Sequence, residues 1–245
     1  MISLGISSLV KALGFLLILS SSSALATSAS AHPTTLSNLI QNGGFETGNL
    51  DGWQIHPAAS PPQISTFSHN GQYSAFFPTI SCCDFGAVLV QNVPMTVLNR
   101  RISLSSWVYP TGVGSLGDAQ FPRAAVLVYF QNTSATTVAG QDVILAYCWQ
   151  CGIYEQQNYT KPGEKPGVDP QSNSPQAWFN FYNWTPNSWN QLDRNLGRDV
   201  QSVFGQHTNL RSLVLFQIQV WGHFSNVGTS DFYIDNIKLS LGKHQ

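Results

Sequence analysis

An all-β sandwich is the fold class that the sequence predicts. Short runs of alternating apolar and polar residues recur along the chain, and clusters of Gly, Pro and Asn separate them. The length that remains after a predicted leader, residues 32–245, suits a single sandwich domain. Helical periodicity is confined to residues 198–204, where Val200, Val203 and Phe204 lie three or four positions apart and Gly205 follows, so one short helix is expected.

The first 31 residues are predicted to be a secretory signal peptide. Lys11 precedes an apolar stretch at residues 12–19, and small-residue sites follow at 24–26 and 29–31. The apolar stretch is shorter than the roughly 20 residues that a membrane-spanning helix needs. We therefore expect cleavage after Ala31, an exported chain without a membrane span, and one domain over residues 32–245.

The composition indicates a surface that is polar but nearly uncharged. Charged residues make up 9% of the chain, against roughly 25% in an average soluble protein. Removal of Lys11 leaves 10 basic residues against 12 acidic ones, and no basic run could follow a phosphate backbone. Nucleic acid is therefore excluded as a partner, whereas neutral glycans suit such a surface.

Candidate strands follow one another along the domain. They cover residues 63–67, 72–77, 87–93, 101–109, 124–131, 142–149, 177–183, 189–195, 212–221 and 232–239. The proline-rich stretch 150–176 has almost no apolar periodicity and is predicted to be a long loop.

Alternation within the strands separates a core face from a second face. In residues 101–109, Ile102, Leu104 and Val108 share the core side, whereas Trp107 and Tyr109 lie opposite. In residues 212–221 the predicted core side carries Val214, Phe216, Ile218 and Val220, and the other side carries Leu213, Leu215, Gln217, Gln219 and Trp221.

Aromatic rings and neutral amides on that second face favour carbohydrate binding. Sugar rings stack their C–H faces on Trp and Tyr, and their hydroxyls bond to Gln and Asn. We expect one face to carry Trp107, Tyr109, Gln217, Gln219 and Trp221, extended by Trp178 and Tyr182. For any single Trp, packing under the long loop is an equal alternative, and Trp53 and Trp189 are assigned to packing.

Four cysteines occur as Cys82–Cys83 and as Cys148 and Cys151. In an exported chain they predict disulfides, and because adjacent cysteines bridge each other poorly, we expect each bond to join the first pair to the second. A four-cysteine zinc site is the alternative.

No catalytic constellation stands out. The chain has three glutamates, Glu46, Glu155 and Glu164, and neither they nor the aspartates show the spacing of an acid–base pair. No nucleophile elbow, zinc-binding helix or phosphate loop is present in the sequence. An enzyme is therefore disfavoured, although a polysaccharide hydrolase or lyase stays open.

The most distinctive segment is residues 42–53, which combine four glycines, two acids and two aromatic residues. Together with segments 71–74 and 189–192 and the closing strand 232–239, this segment resembles carbohydrate-binding modules of families 4, 9 and 22, within the galactose-binding-domain-like group. The resemblance implies a jelly-roll sandwich of two antiparallel sheets in which the two ends of the chain lie together.

The same resemblance implies a structural calcium ion. Glu46 and Asp235 would supply side-chain oxygens, and Gly44 a backbone carbonyl. Calcium takes six to eight oxygen ligands, which fits this donor set. The expected function is secreted, non-catalytic binding of a polysaccharide or surface glycan, and the alternative is an extracellular adhesion or structural protein that binds a cell-surface or matrix protein.

Overall fold

A computed structural model describes the chain over residues 38–56, 60–78, 87–99, 101–111, 124–133, 142–149, 167–168, 175–180, 185–222 and 231–242. The described strands are β1 (Gln54–His56), β2 (Gln63–Ser65), β3 (Ser74–Phe77), β4 (Val88–Val97), β5 (Ile102–Pro110), β6 (Ala124–Asn132), β7 (Asp142–Trp149), β8 (Gly167–Val168), β9 (Pro175–Asn180), β10 (Asn190–Asn195), β11 (Leu213–Gly222) and β12 (Phe232–Leu241). One α-helix, α1 (Leu196–Phe204), and a 3₁₀ turn at Leu210–Ser212 complete the described elements. The predicted all-β fold with one short helix is confirmed.

Two sheets form the sandwich. The smaller has five strands in the order β10-β5-β12-β3-β2, and the larger has seven in the order β1-β4-β11-β6-β7-β9-β8. Neighbouring strands are antiparallel, as expected, with one exception: β7 and β9 run parallel. Part of the stretch predicted to be a long loop is also strand, since β8 and the start of β9 fall within residues 150–176.

The core lies between the sheets and follows the alternation of the strands. In β5, Ile102, Leu104 and Val108 are buried, as the alternation predicts. Phe45 and Trp53 of the opening segment also join this core, with ring centroids 6.0 Å apart. The assignment of Trp53 to packing is therefore confirmed.

A β-bulge in β11 corrects the face predicted for its first half. The register against both β4 and β6 shifts between Leu215 and Gln217. A bulge inserts one extra residue, so the alternation on its two sides is out of step. The core consequently receives Leu213 and Leu215 before the bulge and Ile218 and Val220 after it, whereas Val214 and Phe216 were expected there.

A partly buried ion pair connects α1 to the strands. The helix begins after Asn195, whose side chain accepts from the N–H of Arg198 at 2.9 Å, a standard N-cap. Asp199 accepts from Arg194 of β10 at 2.6 and 2.9 Å and from the hydroxyl of Tyr147 of β7 at 2.8 Å. Because β10 and β7 belong to different sheets, this cluster joins the two sheets through the helix.

Several predictions fall outside the described residues. These are the signal peptide of residues 1–31, the domain boundary at residue 32, Tyr182, and Cys82, Cys83 and Cys151. Among the described residues, no helix is long and apolar enough to cross a membrane.

Candidate functional site

The outer face of the seven-stranded sheet brings together three of the predicted site residues. Gln217, Gln219 and Trp221 follow the bulge of β11 at alternate positions and therefore point to the side opposite Ile218 and Val220, which lie in the core. All three are partly exposed. The prediction that they share one face is correct.

Strand register extends this face across the sheet. Gln219 lies opposite Leu127 of β6, Leu127 opposite Ala146 of β7, and Ala146 opposite Trp178 of β9. Trp178 therefore occupies a register position in the same row as Gln219, three strands away.

The polar side chains on this face form one continuous hydrogen-bonded chain. Trp221 Nε1 donates to Gln219 Oε1 at 2.6 Å, Gln219 Nε2 donates to Gln217 Oε1 at 2.6 Å, and Gln217 Nε2 donates to Asn92 Oδ1 at 2.9 Å. The hydroxyl of Tyr129 donates to the same oxygen of Gln219 at 3.2 Å. We call these five residues the polar ladder.

An apolar patch adjoins the polar ladder on the same face. It comprises Ala125, Leu127, Ile144, Ala146 and Cys148, each at most 6% exposed, and the rings of Tyr129 and Trp221 pack against it. The two rings thus lie between neutral amides on one side and aliphatic groups on the other. This is the combination of apolar contact and directed hydrogen bonds that a sugar requires.

Sequence reasoning missed two members of the polar ladder, Asn92 and Tyr129. Both lie opposite Gln217, Asn92 on β4 and Tyr129 on β6. Strand alternation could have placed each on an outer face, but the pairing of β11 with β4 and β6 joins segments far apart in the chain. That pairing is not visible in the sequence.

Trp107 and Tyr109 do not belong to this face, so the prediction of a single aromatic face is wrong. Both lie on β5, in the five-stranded sheet, and point away from the core on that side of the sandwich. Alternation assigns a residue to a core or an outer face, but it does not say which of the two sheets carries the strand. The two groups therefore occupy different outer faces.

The outer face of the five-stranded sheet carries an aromatic cluster of its own. Its members are Phe67, His69, Phe76, Trp107, Tyr109, Trp189 and Tyr233. His69 stacks on Trp107 with ring centroids 3.8 Å apart, so one face of that indole is already covered. Phe67 contacts Tyr109, Trp189 and Tyr233 and is 43% exposed. Trp189 packs within this cluster, which agrees with its assignment to packing.

The two ends of the domain lie against each other, as the resemblance implies. The N–H of Ile237 donates to the carbonyl of Gly43 at 2.8 Å, and the N–H of Leu39 donates to the carbonyl of Leu239 at 2.8 Å. A Cβ at residue 43 would collide with the carbonyl oxygen of Ile237, so glycine is required there. The opening segment thus joins the last strand through backbone contact.

Both predicted metal-ligating carboxylates hold the segment that joins β2 to β3. The oxygens of Glu46 accept from the N–H of Gln72 at 3.0 and 3.1 Å, and Oε1 also accepts from the N–H of Tyr73 at 3.2 Å. A side chain at Gly71 would collide with this carboxylate. Glu46 therefore anchors the turn directly.

Asp235 anchors the same turn from the last strand. It is fully buried, and its oxygens accept from the N–H groups of His69 at 2.9 Å, Asn70 at 3.1 Å and Asn236 at 2.6 Å. Burial raises the pKa of this carboxyl above its ordinary value, the three hydrogen bonds oppose that rise, and the negative charge of Glu46 adds to it.

Glu46 and Asp235, the two carboxylates for which the resemblance implies a calcium ion, lie close to each other. Within the described part of the chain neither carboxylate forms an ion pair, although the two are close enough for their charges to repel. The described residues contain no group of three His, Cys, Asp or Glu side chains suited to a metal. A calcium ion there would need backbone carbonyls, such as that of Gly44, and water for its remaining ligands.

Of the four cysteines, the structure describes Cys148. Its side chain is fully buried in the apolar patch, and its sulfur lies 3.6 Å from the carbonyl oxygen of Phe179. The expected partners of Cys148 lie outside the described residues, so the pairing stays a prediction.

The sequence matches no family model and no curated protein. Among solved structures, the chain is similar to a family 16 carbohydrate-binding module, with 16% identity, a TM-score of 0.45, and coverage of 82% of this chain and 99% of that one. It is also similar to the tandem family 22 modules of Paenibacillus barcinonensis Xyn10C, with 10% identity, a TM-score of 0.44, and coverage of 84% and 50%.

A family 12 xyloglucanase from Bacillus licheniformis is similar as well, with 13% identity, a TM-score of 0.42, and coverage of 78% and 87%. These three similarities are of low identity, and they include both binding modules and an enzyme.

Proposed function

We propose that this chain is a secreted, non-catalytic protein that binds a polysaccharide or surface glycan on the outer face of its seven-stranded sheet. The observation that carries the proposal is the polar ladder, in which neutral amides and an indole are hydrogen-bonded in a row beside an apolar patch. The predicted leader of residues 1–31 supports secretion.

The polar ladder suits a sugar because its polar groups are held in place before a ligand arrives. Each amide is bonded to the next, so little side-chain freedom remains to be lost on binding. Asn92 is exposed, and Gln217 and Gln219 are partly exposed, so the amides can be reached from solvent. Their N–H and C=O groups are the partners that sugar hydroxyls take.

The chemistry of the polar ladder favours a neutral glycan. None of Asn92, Tyr129, Gln217, Gln219 and Trp221 carries a charge at neutral pH. Binding an acidic glycan would leave its carboxylates or sulfates without a cationic partner on these residues, at a cost in desolvation.

A structural calcium ion at Glu46 and Asp235 is part of the proposal. The ion would neutralise two neighbouring carboxylates and connect the opening segment, the turn at residues 69–73 and the last strand. Its role would be stability, because this cluster lies on the side of the five-stranded sheet, away from the polar ladder.

Disulfides between the 82–83 pair and Cys148 or Cys151 are likewise proposed. The support is that Cys148 is buried and is not a free thiol. Thiol titration of the unfolded chain before and after reduction tests this, and four reactive thiols without reductant would contradict it.

Retention on polysaccharides tests the function. We expect the wild-type chain to be retained by an insoluble or gel-immobilised neutral polysaccharide, and the double variant Gln217→Ala, Gln219→Ala to bind at least about tenfold more weakly. The matched control is Trp107→Ala, which removes a large ring from the opposite sheet and should leave retention unchanged. If the double variant were retained as strongly as the wild type, the glycan would bind elsewhere on the protein. If the wild type bound no glycan on a broad array, the proposed function would be contradicted.

The aromatic cluster on the five-stranded sheet favours a second candidate, an extracellular adhesion protein. Phe67 is 43% exposed at the centre of this cluster, and exposed aromatic groups of this kind form protein interfaces. Phe67→Ser should then abolish binding to a cell-surface or matrix protein while glycan retention persists. Loss of glycan retention in Phe67→Ser would instead assign the glycan site to this face.

A further inference from the structure

The hydrogen bonds of the polar ladder all run in one direction. From Trp221 through Gln219 and Gln217 to Asn92, each residue donates to the side-chain oxygen of the next. Primary amides can be turned end for end at little cost, so the amides alone do not fix this direction. Something at one end of the row must do so.

Trp221 is the residue that fixes it. An indole N–H can donate but cannot accept, so the oxygen of Gln219 must face Trp221. The amide nitrogen of Gln219 then points to Gln217, which must present its amide oxygen to accept. The amide nitrogen of Gln217 therefore points to Asn92, whose amide oxygen accepts in the same way. Tyr129 does not impose a direction, because its hydroxyl can either donate or accept.

The fixed direction leaves the polar ladder rich in donors. Gln219 Oε1 already accepts two hydrogen bonds, from Trp221 and Tyr129, and has no lone pair to spare. One N–H of Gln217, one of Gln219 and both of Asn92 have no partner among the described residues. The three amides therefore offer a ligand four N–H groups against two free oxygen lone pairs, one on Gln217 and one on Asn92, and the hydroxyl oxygen of Tyr129 is the other acceptor of the polar ladder.

We propose that Trp221 is a positioning residue that sets the direction of the polar ladder, and that the site consequently recognises the oxygen acceptors of its ligand. This inference rests on the proposed function and specifies which groups of the glycan the site recognises. The hydroxyl, ether and ring oxygens of a glycan would accept hydrogen bonds from the amide N–H groups of the site. The hydroxyl hydrogens of the glycan would contribute less to binding. The role assigned to Trp221 acts through Gln219 and is separate from any stacking by its ring.

Two substitutions separate these roles. Trp221→Phe keeps an aromatic ring against the apolar patch but removes the N–H, so the amides become free to turn. If Trp221 acts through Gln219, the substitution should matter only while Gln219 is present. Tyr129→Phe is the matched control, since it removes a hydrogen bond to the same oxygen but leaves the direction fixed.

Affinity gel electrophoresis in hydroxyethylcellulose, xylan, galactomannan and laminarin provides the measurement. On the polymers that retard the wild type, we expect Trp221→Phe and Gln219→Ala each to weaken binding by about tenfold, and their combination to be no weaker than Gln219→Ala alone. Tyr129→Phe should weaken binding less than Trp221→Phe. Wild-type affinity in Trp221→Phe, or losses that multiply in the combination, would overturn the inference.

A ligand-free measurement distinguishes failure of this inference from failure of the proposed function. In ¹⁵N-resolved NMR spectra, the side-chain amide protons of Gln217 and Gln219 should be sharp and distinct in the wild type, because each amide is held in one orientation. They should broaden in Trp221→Phe, because the amides become free to turn, and stay sharp and distinct in Tyr129→Phe, where the lost hydrogen bond shifts the Gln219 signals without releasing the amide. Amide resonances that stay as sharp and distinct in Trp221→Phe as in the wild type would overturn the inference even if no polysaccharide binds.

Discussion

Trp221 Nε1 lies 2.6 Å from Oε1 of Gln219, two positions earlier on the same strand. Residues two apart on a strand point to the same side, so β11 itself brings the indole and the amide together. The β-bulge between Leu215 and Gln217 decides which side that is. Without the extra residue, Gln217, Gln219 and Trp221 would share the alternation of Leu213 and Leu215 and point into the core.

Gly43→Ala should destabilise the domain by roughly 1–3 kcal/mol, the usual cost of overpacking. The added methyl would collide with the carbonyl oxygen of Ile237, the residue whose N–H donates to the carbonyl of Gly43 across the two chain ends. Chemical denaturation measures the effect. Gly44→Ala is the matched control. A Cβ at residue 44 would lie 3.6 Å from Asn236 Oδ1 and from Glu46 Cγ, which is an ordinary van der Waals distance. Equal stability of the two variants would contradict the close approach of residue 43 to the carbonyl oxygen of Ile237.

Chelation should lower the melting temperature if the proposed calcium ion is present. A site filled at a hundred times its dissociation constant contributes about 2.7 kcal/mol, which corresponds to roughly 5–10 °C for a domain of this size. Scanning calorimetry with and without chelator should show this loss in the wild type and in the control Asp51→Asn, but not in Asp235→Asn. If the chelator left the wild-type melting temperature unchanged, the proposed calcium ion would be contradicted, and backbone N–H groups alone would hold the two carboxylates.

Stability should fall at alkaline pH because of Tyr147. Burial, together with the neighbouring charge of Asp199, raises the pKa of its hydroxyl well above the ordinary value, and the nearby Arg194 opposes this. Above about pH 10 the unfolded chain releases this proton while the folded chain retains it, so the free energy of unfolding decreases as pH rises. Denaturation at pH 8 and above pH 10 should show a steeper loss in the wild type than in Tyr147→Phe. Parallel losses in the two proteins would contradict a buried, protonated Tyr147.

Much of the fold follows from local sequence patterns. All ten predicted strand segments overlap strands in the same chain order, because alternation and turn residues are local signals. An example is β7, which covers the predicted residues 142–149. The contact between the opening segment and the last strand also agrees with the expectation from the end motifs.

The candidate site was predictable only in part. Gln217, Gln219 and Trp221 were found because they alternate along one strand, whereas Trp107 and Tyr109 were added to them from a strand of the other sheet. Sheet membership depends on pairing between distant segments, which local patterns do not contain. The bulge in β11 escaped prediction for a related reason, since no glycine or proline marks it in the sequence.

The central claim is that glycan binds at the polar ladder, and the indole resonances test it most directly. In an NMR titration with a hexasaccharide from a polysaccharide that retains the protein, the Nε1–H signal of Trp221 should shift, together with the side-chain amides of Gln217 and Gln219. The indole signal of Trp107, on the opposite sheet, should stay in place. A shift of Trp107 while Trp221 and the two amides remain unchanged would contradict the account.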